Sequence, residues 1–96
     1  MNNLKPVFIE SGPGMNKNLQ LYNLDGCGYC AMVRTVLKTL GLEYEKIDVA
    51  WPHHQRKEVF EVSGQTSVPV LVDGETVLDD EYDIIDYLKQ TYPVNS

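Results

Sequence analysis

The stretch Asp25–Arg34, DGCGYCAMVR, contains both cysteines of the 96-residue chain and decides how the rest of the sequence is interpreted. Cys27 and Cys30 form a Cys-x-x-Cys pattern. The alternating segment Leu19–Leu24 before them predicts a strand, which an Asp-Gly pair interrupts. Beyond the cysteines, apolar residues recur at helical spacing: Met32, Val33, Val36, Leu37 and Leu40. The two thiols are therefore expected where a strand ends and a helix begins.

A helix start gives the two thiols different chemistry. The first helical turn has free N–H groups and the positive end of the helix dipole, which stabilise a thiolate at Cys27. Cys30 is expected one turn further on the same side, within reach of a disulfide. Cys27 can attack a disulfide, and Cys30 can then resolve the mixed disulfide. The pair is therefore predicted to be a thiol–disulfide exchange centre.

Two other interpretations of the cysteine pair fit the residues less well. Buried inert cysteines are common, but a glycine-flanked turn at a helix start is an unusual place for them. A structural zinc ion needs four ligands, and only His53 and His54 could complete the set. Adjacent side chains point apart on a regular element, so these histidines are expected at the surface beside Trp51 and Pro52. We predict no metal site.

The remainder of the domain predicts alternating strands and helices. Gly41 ends the first helix, Asp73-Gly74 forms a hairpin turn, and Asp79 or Asp80 caps the last helix. The other elements are a strand over Glu43–Val49, a short helix over His53–Val62, a strand over Val68–Val72, a returning strand over Glu75–Leu78, and a last helix with Ile84, Ile85 and Leu88 inside. The predicted fold class is α/β, a four-stranded mixed sheet flanked by about three helices in the order βαβαββα.

Composition places limits on the class of protein. Residues 1–17 show little periodicity and predict a flexible or loosely docked extension, which allows a short strand at Val7–Glu10, and residues 18–96 form the domain. A net charge of −6 argues against nucleic acid and anionic membranes as partners. No apolar run approaches the ~18 residues of a spanning helix, and the N-terminus shows no secretory signal. Two cysteines are too few for a secreted disulfide scaffold, so a reducing cytoplasm is expected. The protein is also expected to be a monomer.

Three segments resemble one family in the right order. They are LYNLDGCGYC (21–30), TSVPVLVDGE (66–75) and LDDEYDIIDYL (78–88). The first two resemble the glutaredoxins, and the third resembles the last helix of the related N-terminal domain of glutathione transferases. The resemblance covers residues 18–92 and implies a thioredoxin-like fold. It also implies that Cys27 is the nucleophile that accepts glutathione, that Cys30 is the resolving cysteine, and that Tyr29 flanks the glutathione groove.

The same resemblance implies where glutathione would be held. Val68 matches the residue whose backbone pairs with the tripeptide's cysteinyl part, and Pro69 matches the cis-proline, although an edge-strand proline would also fit the pattern. Asp80 matches the acidic residue that pairs with the γ-glutamyl amine, next to helix N–H groups for the γ-glutamyl carboxylate. Glu81 stands at this subsite where the transferase motif has serine, and its carboxylate would repel that anion. Helix capping alone is the alternative interpretation of the run Asp79–Glu81.

Other positions depart from the family pattern. Gly28 replaces the usual proline, and a small residue there is associated in the family with an iron–sulfur cluster bound between two subunits. Asp25 lies close to Cys27 and would disfavour its thiolate, while Arg34 is expected to be too far along the helix to compensate. Arg56 and Lys57 are the best candidates to hold the glycyl carboxylate, with surface solvation as the alternative.

The sequence leaves several functions open. The first is a glutaredoxin-type oxidoreductase that reduces glutathione mixed disulfides and protein disulfides, with glutathione as co-substrate. The second is a dithiol redoxin recycled by a thioredoxin reductase, which the Glu81 departure favours. The third is a [2Fe-2S] cluster carrier that uses Cys27 and glutathione as ligands. A complete glutathione transferase is not expected, because its all-helical second domain would not fit after Tyr92.

Overall fold

The computed structural model describes residues 18–93, and the strand suggested at Val7–Glu10 lies outside that range. The described chain folds as β1, α1, β2, a single 3₁₀ turn, α2, β3, β4 and α3. Their bounds are Leu19–Asn23, Gly28–Thr39, Glu45–Asp48, His53–Gln55, Lys57–Ser63, Val70–Asp73, Thr76–Leu78 and Glu81–Thr91. The predicted order of elements is confirmed.

The four strands form one mixed sheet in the order β2-β1-β3-β4. β1 and β2 are parallel, with Gln20 opposite Glu45, because a helix returns the chain between them. β3 is antiparallel to β1 and also to β4, to which a hairpin connects it. The predicted four-stranded mixed sheet with three helices, a thioredoxin-like fold, is confirmed.

The alternation of side chains along β1 places apolar residues on both faces of the sheet. Leu19 and Leu21 face α1 and α3, and they join a fully buried cluster with Val33, Leu37, Leu71, Ile84 and Leu88. Tyr22 and Leu24 face the other way and pack with Val49, Val59 and Val70 near α2. The sheet therefore lies between one layer formed by α1 and α3 and a second layer formed by α2.

Most predicted boundaries agree with the structure to within two residues. Gly41 follows the end of α1 with a φ of 72°, and the Leu42 N–H donates to the Leu37 carbonyl at 3.0 Å. The single helix predicted over His53–Val62 is wrong. The 3₁₀ turn ends at Arg56, whose φ of −97° and ψ of 56° are not helical, and α2 starts at the next residue.

Candidate functional site

The strand register gathers the predicted site segments at one edge of the sheet. β1 and β2 end there side by side, at Asn23 and Asp48. β3 begins at the same edge, where Val70 pairs with Tyr22, and β4 returns to it. The segments that leave or enter this edge are the Cys27 turn, the Trp51 loop, the Val68–Pro69 pair and the start of α3.

Cys27 is the N-cap of α1 and is half-buried. Its Sγ accepts a hydrogen bond from the Cys30 N–H at 3.5 Å, and its own N–H donates to the Leu24 carbonyl at 3.1 Å. Gly26 takes a φ of 92°, a left-handed conformation that favours glycine, and an added Cβ would lie 3.9 Å from the Trp51 ring. The turn therefore places a thiol at an accessible helix N-terminus.

Cys30 is a free thiol that is fully buried one turn into the helix. Burial raises the pKa of Cys30 to about 12, against the opposing effects of the Leu24 backbone and the Arg34 charge. This thiol is therefore protonated at neutral pH. Of the two thiols, Cys27 is the one that a disulfide substrate can reach from solvent.

A groove of about 280 Å³ opens beside Cys27. Its lining is mainly apolar and consists of Leu24, Cys27, Trp51, His53, Arg56, Ser67 and Val68. Pro69 is fully buried behind Val68, and the Val68–Pro69 peptide bond is cis, as the family resemblance implied. Val68 lies just outside the β-ladder, which begins at Val70. Val68 therefore lines the same groove as Cys27 and lies two residues before the start of β3.

Arg56 faces this groove but has a different environment from the one expected. It is only 4% exposed, so the surface alternative is wrong. Nε donates to the Ala50 carbonyl at 2.6 Å, Nη2 to the Trp51 carbonyl at 2.8 Å and Nη1 to the Thr66 carbonyl at 2.9 Å. Arg56 therefore joins the loop after β2 to the segment before β3 and fixes the shape of the groove. Lys57 is exposed at the start of α2.

Arg34, expected to be too far along the helix to compensate for Asp25, contacts the end of β1. Its Nη1 donates to Oδ1 of Asn23, a fully buried amide at the end of β1. Nδ2 of Asn23 donates in turn to Oδ1 of Asp25 at 3.2 Å and to Oδ1 of Asp48 at 2.8 Å. Asn23 therefore joins α1, the turn before Cys27 and the end of β2.

The remaining predicted residues lie at the starts of two helices. Tyr29 is 53% exposed in the first turn of α1. Asp80 is the N-cap of α3, and its Oδ2 accepts the N–H groups of Tyr82 and Asp83, both at 3.0 Å. Glu81 is the half-buried first residue of that helix. An anion at this helix start would compete with Asp80 for two of the N–H groups.

Sequence reasoning missed three residues that line the groove, Trp51, His53 and Ser67. Trp51 is 70% exposed, and His53 Nδ1 lies 2.9 Å from the Thr66 hydroxyl. The sequence does contain an indication of the positions of Trp51 and His53. They follow a strand predicted to be parallel to β1, and parallel strands end at the same edge of a sheet.

Residues 18–93 contain neither a cluster of metal-binding side chains nor a membrane-spanning helix. No group of three or more His, Cys, Asp or Glu side chains in this part of the chain is placed to hold a metal ion. No helix in the same range is long and apolar enough to cross a membrane.

Comparison with known proteins agrees with the class that the fold defines, the thioredoxin-like domains. Residues 21–96 match the family model described as the N-terminal domain of glutathione S-transferase. The chain belongs to this family. Glutathione S-transferase 1 of Dianthus caryophyllus is 33% identical over 87 residues, a match that covers 91% of this chain and 39% of that protein. This chain therefore spans well under half the length of that relative.

Two further similarities concern the fold and the redox resemblance. A crystal structure of a glutathione transferase homologue from Drosophila mojavensis, with bound glutathione, superposes with a TM-score of 0.72 at 27% identity, over 78% of this chain and 35% of that one. Glutaredoxin 3 of Escherichia coli is 26% identical over 61 residues, which covers 62% of this chain and 74% of that protein. The family is thus that of the transferase domain, and the similarity to glutaredoxin is partial.

Proposed function

We propose that this protein is a glutathione-dependent thiol–disulfide oxidoreductase of the glutaredoxin type, with Cys27 and Cys30 as its reacting groups. One observation carries the proposal. An accessible thiol caps α1, and a buried second thiol follows it, with the Cys30 N–H directed at the Cys27 sulfur at 3.5 Å. This is the arrangement that a two-step disulfide exchange needs.

The reaction balances without a cofactor. The Cys27 thiolate attacks a glutathionylated substrate, a Cys27–glutathione disulfide forms, and the substrate leaves as a thiolate that takes up a proton. A second glutathione thiolate can then release oxidised glutathione from Cys27. On a protein disulfide, the Cys27 thiolate first forms a mixed disulfide with one substrate sulfur, and the other substrate sulfur leaves as a thiolate. Cys30 then attacks Cys27, the bound substrate sulfur leaves as a second thiolate, and two glutathione molecules later reduce the Cys27–Cys30 disulfide.

Glutathione would lie in the groove beside Cys27. The Val68 backbone, held next to the buried Pro69, would pair with its cysteinyl residue as one rung of a β-ladder. The exposed ring of Tyr29 would flank the tripeptide. Asp80 uses only Oδ2 for its two capping bonds, so Oδ1 would receive the γ-glutamyl ammonium. The carboxylate of Glu81 would weaken this subsite for the neighbouring γ-glutamyl carboxylate.

Glutathione transfer is a second candidate, and the family match favours it. In that reaction the glutathione sulfur attacks an electrophile, so the protein must stabilise the glutathione thiolate. The N-terminus of α1 could do so without any disulfide. Cys30 would then have no chemical role.

The deciding experiment compares both activities in one preparation. Reduction of hydroxyethyl disulfide would be followed by NADPH oxidation, once with glutathione and glutathione reductase and once with thioredoxin reductase. Conjugation of glutathione to 1-chloro-2,4-dinitrobenzene would be followed in parallel. We expect disulfide reduction that requires glutathione and Cys27. Conjugation without disulfide reduction would overturn the proposal in favour of transfer.

Two other outcomes would identify different functions. Turnover with thioredoxin reductase alone would mean that the acidic start of α3 excludes glutathione and that a protein donates the electrons. No turnover together with a brown preparation would favour a [2Fe-2S] cluster held by Cys27 and glutathione in a dimer. Either result would contradict the glutaredoxin-type assignment.

A further inference from the structure

The side chains of Asn23 and Arg34 suggest how the buried thiol is made to react. This inference rests on the proposed function, because it concerns the step in which Cys30 attacks the Cys27 mixed disulfide. Cys30 is fully buried and needs to lose its proton before it can act as a nucleophile. A group that favours the Cys30 thiolate would therefore speed that step.

Arg34 lies four residues after Cys30 on α1, on the same face of the helix. Helical side chains lean towards the N-terminus, so its guanidinium extends back over the preceding turn, which contains Cys30. The hydrogen bond from Nη1 to the buried Oδ1 of Asn23 fixes it there. Asn23 is the last residue of β1, and it lies at the same edge of the sheet as the active-site turn.

Asn23 also determines where the nearby negative charges lie. Its Nδ2 is shared by the carboxylates of Asp25 and Asp48. The amide thus bonds to the guanidinium through Oδ1 and to the two carboxylates through Nδ2. Burial is the main cause that raises the pKa of Cys30, and Cys27 adds to it, whereas the Arg34 charge lowers that pKa.

We propose that Asn23 is a positioning residue that holds the Arg34 guanidinium beside Cys30, so that its charge favours the attacking thiolate in the second step of disulfide exchange. In that step the Cys30 sulfur bonds to the Cys27 sulfur, and the bond from Cys27 to glutathione breaks. Glutathione leaves with the electron pair and takes up a proton equivalent to the one that Cys30 lost. Cys30 is oxidised and glutathione is reduced, so no other reactant is needed.

The test follows the two steps separately. The reduced protein is mixed with excess oxidised glutathione, quenched in acid at intervals and analysed by intact-protein mass spectrometry. The appearance of the glutathione adduct reports the first step, and its conversion to the intramolecular disulfide reports the second. The variants are Arg34→Gln, Arg34→Lys and Asn23→Ala. Lys38→Gln is the matched control, because it removes an exposed positive charge from the last turn of the same helix.

We expect Arg34→Gln to slow the second step about threefold and leave the first unchanged. Loss of the positive charge lowers the thiolate fraction of Cys30, and this is partly offset because a less acidic thiol is a better nucleophile. Asn23→Ala should slow the second step in the same direction, since Asp25 and Asp48 can then pair with Arg34. Arg34→Lys should keep at least half of the parent rate, and Lys38→Gln should match the parent.

Three results would overturn the inference. One is a second step in Arg34→Gln as fast as in Lys38→Gln, with urea unfolding showing both variants folded. Another is an equal slowing of both steps, which would indicate a purely structural role for the pair. Neither of these two results would contradict the proposed disulfide-exchange function. A parent protein that forms no glutathione adduct would overturn the proposed function and this inference together.

Discussion

Two helices, α1 and α3, start at the edge of the sheet where β1 and β2 end, and they are capped in contrasting ways. Cys27 caps α1 with a sulfur that accepts one N–H group at 3.5 Å, and the first turn has no acidic residue. Asp80 caps α3 with a carboxylate oxygen that accepts two N–H groups at 3.0 Å, and Glu81 and Asp83 add negative charge.

The difference shows that the N-cap of a helix can either stabilise the fold or hold a reactive side chain. A carboxylate is a strong N-cap and neutralises the positive end of the helix dipole. A neutral thiol is a weak acceptor, so the positive end of α1 stays available to a sulfur anion. The start of α3 is therefore suited to stabilising the fold, and the start of α1 to holding a reactive group.

Cys27→Ser should have the largest effect on activity. It should separate the role of residue 27 as the N-cap of α1 from its role as the reacting group. Serine is a favoured N-cap, so we expect the thermal midpoint to be unchanged or higher. Serine does not exchange with disulfides, so turnover of hydroxyethyl disulfide should fall below detection. Thermal unfolding and the coupled assay on the same preparation test this. Residual turnover that depends on Cys30 would contradict the assigned order of the thiols.

Cys30→Ser should have a selective effect. Turnover of glutathione mixed disulfides should persist, because Cys27 and free glutathione suffice for it. Dithiol reduction of a protein disulfide such as that of insulin should be lost. The two substrates are assayed side by side with Cys27→Ser as the inactive reference. Equal losses on both substrates would argue against a resolving role.

Two substitutions of Asp80 separate its capping from its proposed contact with glutathione. Asp80→Ala removes the cap and should lower the free energy of unfolding by about 1 kcal/mol, or about 4–8 °C in the thermal midpoint. Asp80→Asn keeps a good cap, so its stability should be close to that of the parent, while the KM for glutathione rises. Asp86→Asn, on an exposed position of α3, is the charge-matched control. An unchanged KM in Asp80→Asn would remove Asp80 from the binding site.

The stability of the protein at alkaline pH should depend on the burial of Cys30, one turn beyond the cap of α1. α1 buries Cys30 there, whereas α3 has the exposed Asp83. Burial raises the pKa of Cys30 to about 12 and also raises the pKa of Tyr22 and Tyr87. Since these folded-state values exceed the unfolded ones, the folded protein binds more protons, and its stability should fall as the pH rises above about 9.

Urea unfolding of the reduced protein at pH 7, 9 and 10 measures this decline. Cys30→Ser should make it shallower between pH 9 and 10, because serine does not titrate there. A decline of the same slope in Cys30→Ser would mean that other groups cause it.

Gly28→Pro should have the smallest effect. Gly28 is the first residue of α1, where proline is favoured, and nothing lies within 4 Å of an added Cβ. Cys27 before it is already extended, as a residue preceding proline prefers. We expect stability to rise by about 0.4–1 kcal/mol in urea, because the unfolded chain loses freedom. Gly28→Ala is the control for the loss of glycine alone, and a destabilised Gly28→Pro would show that the turn needs glycine.

The features that depend on neighbouring residues were predicted most accurately from the sequence. Hydrophobic periodicity located the strands and α1, and the Cys-x-x-Cys pair at a strand–helix junction indicated where the thiols lie, because such signals depend on neighbouring residues. The helix over His53–Val62 was wrong for the opposite reason. The backbone at Arg56 is not helical, and the Arg56 guanidinium bonds to carbonyls of Ala50 and Thr66, which are distant from it along the sequence.

The sequence by itself determined the order of elements, the mixed sheet and the position of the two cysteines at the start of a helix. Tertiary structure decided which thiol is buried, brought Trp51 and His53 to the groove, and placed Arg34 against Asn23. Periodicity and capping are local properties of the chain. Burial and side-chain hydrogen bonds instead depend on strand register and on packing between elements that are far apart in sequence.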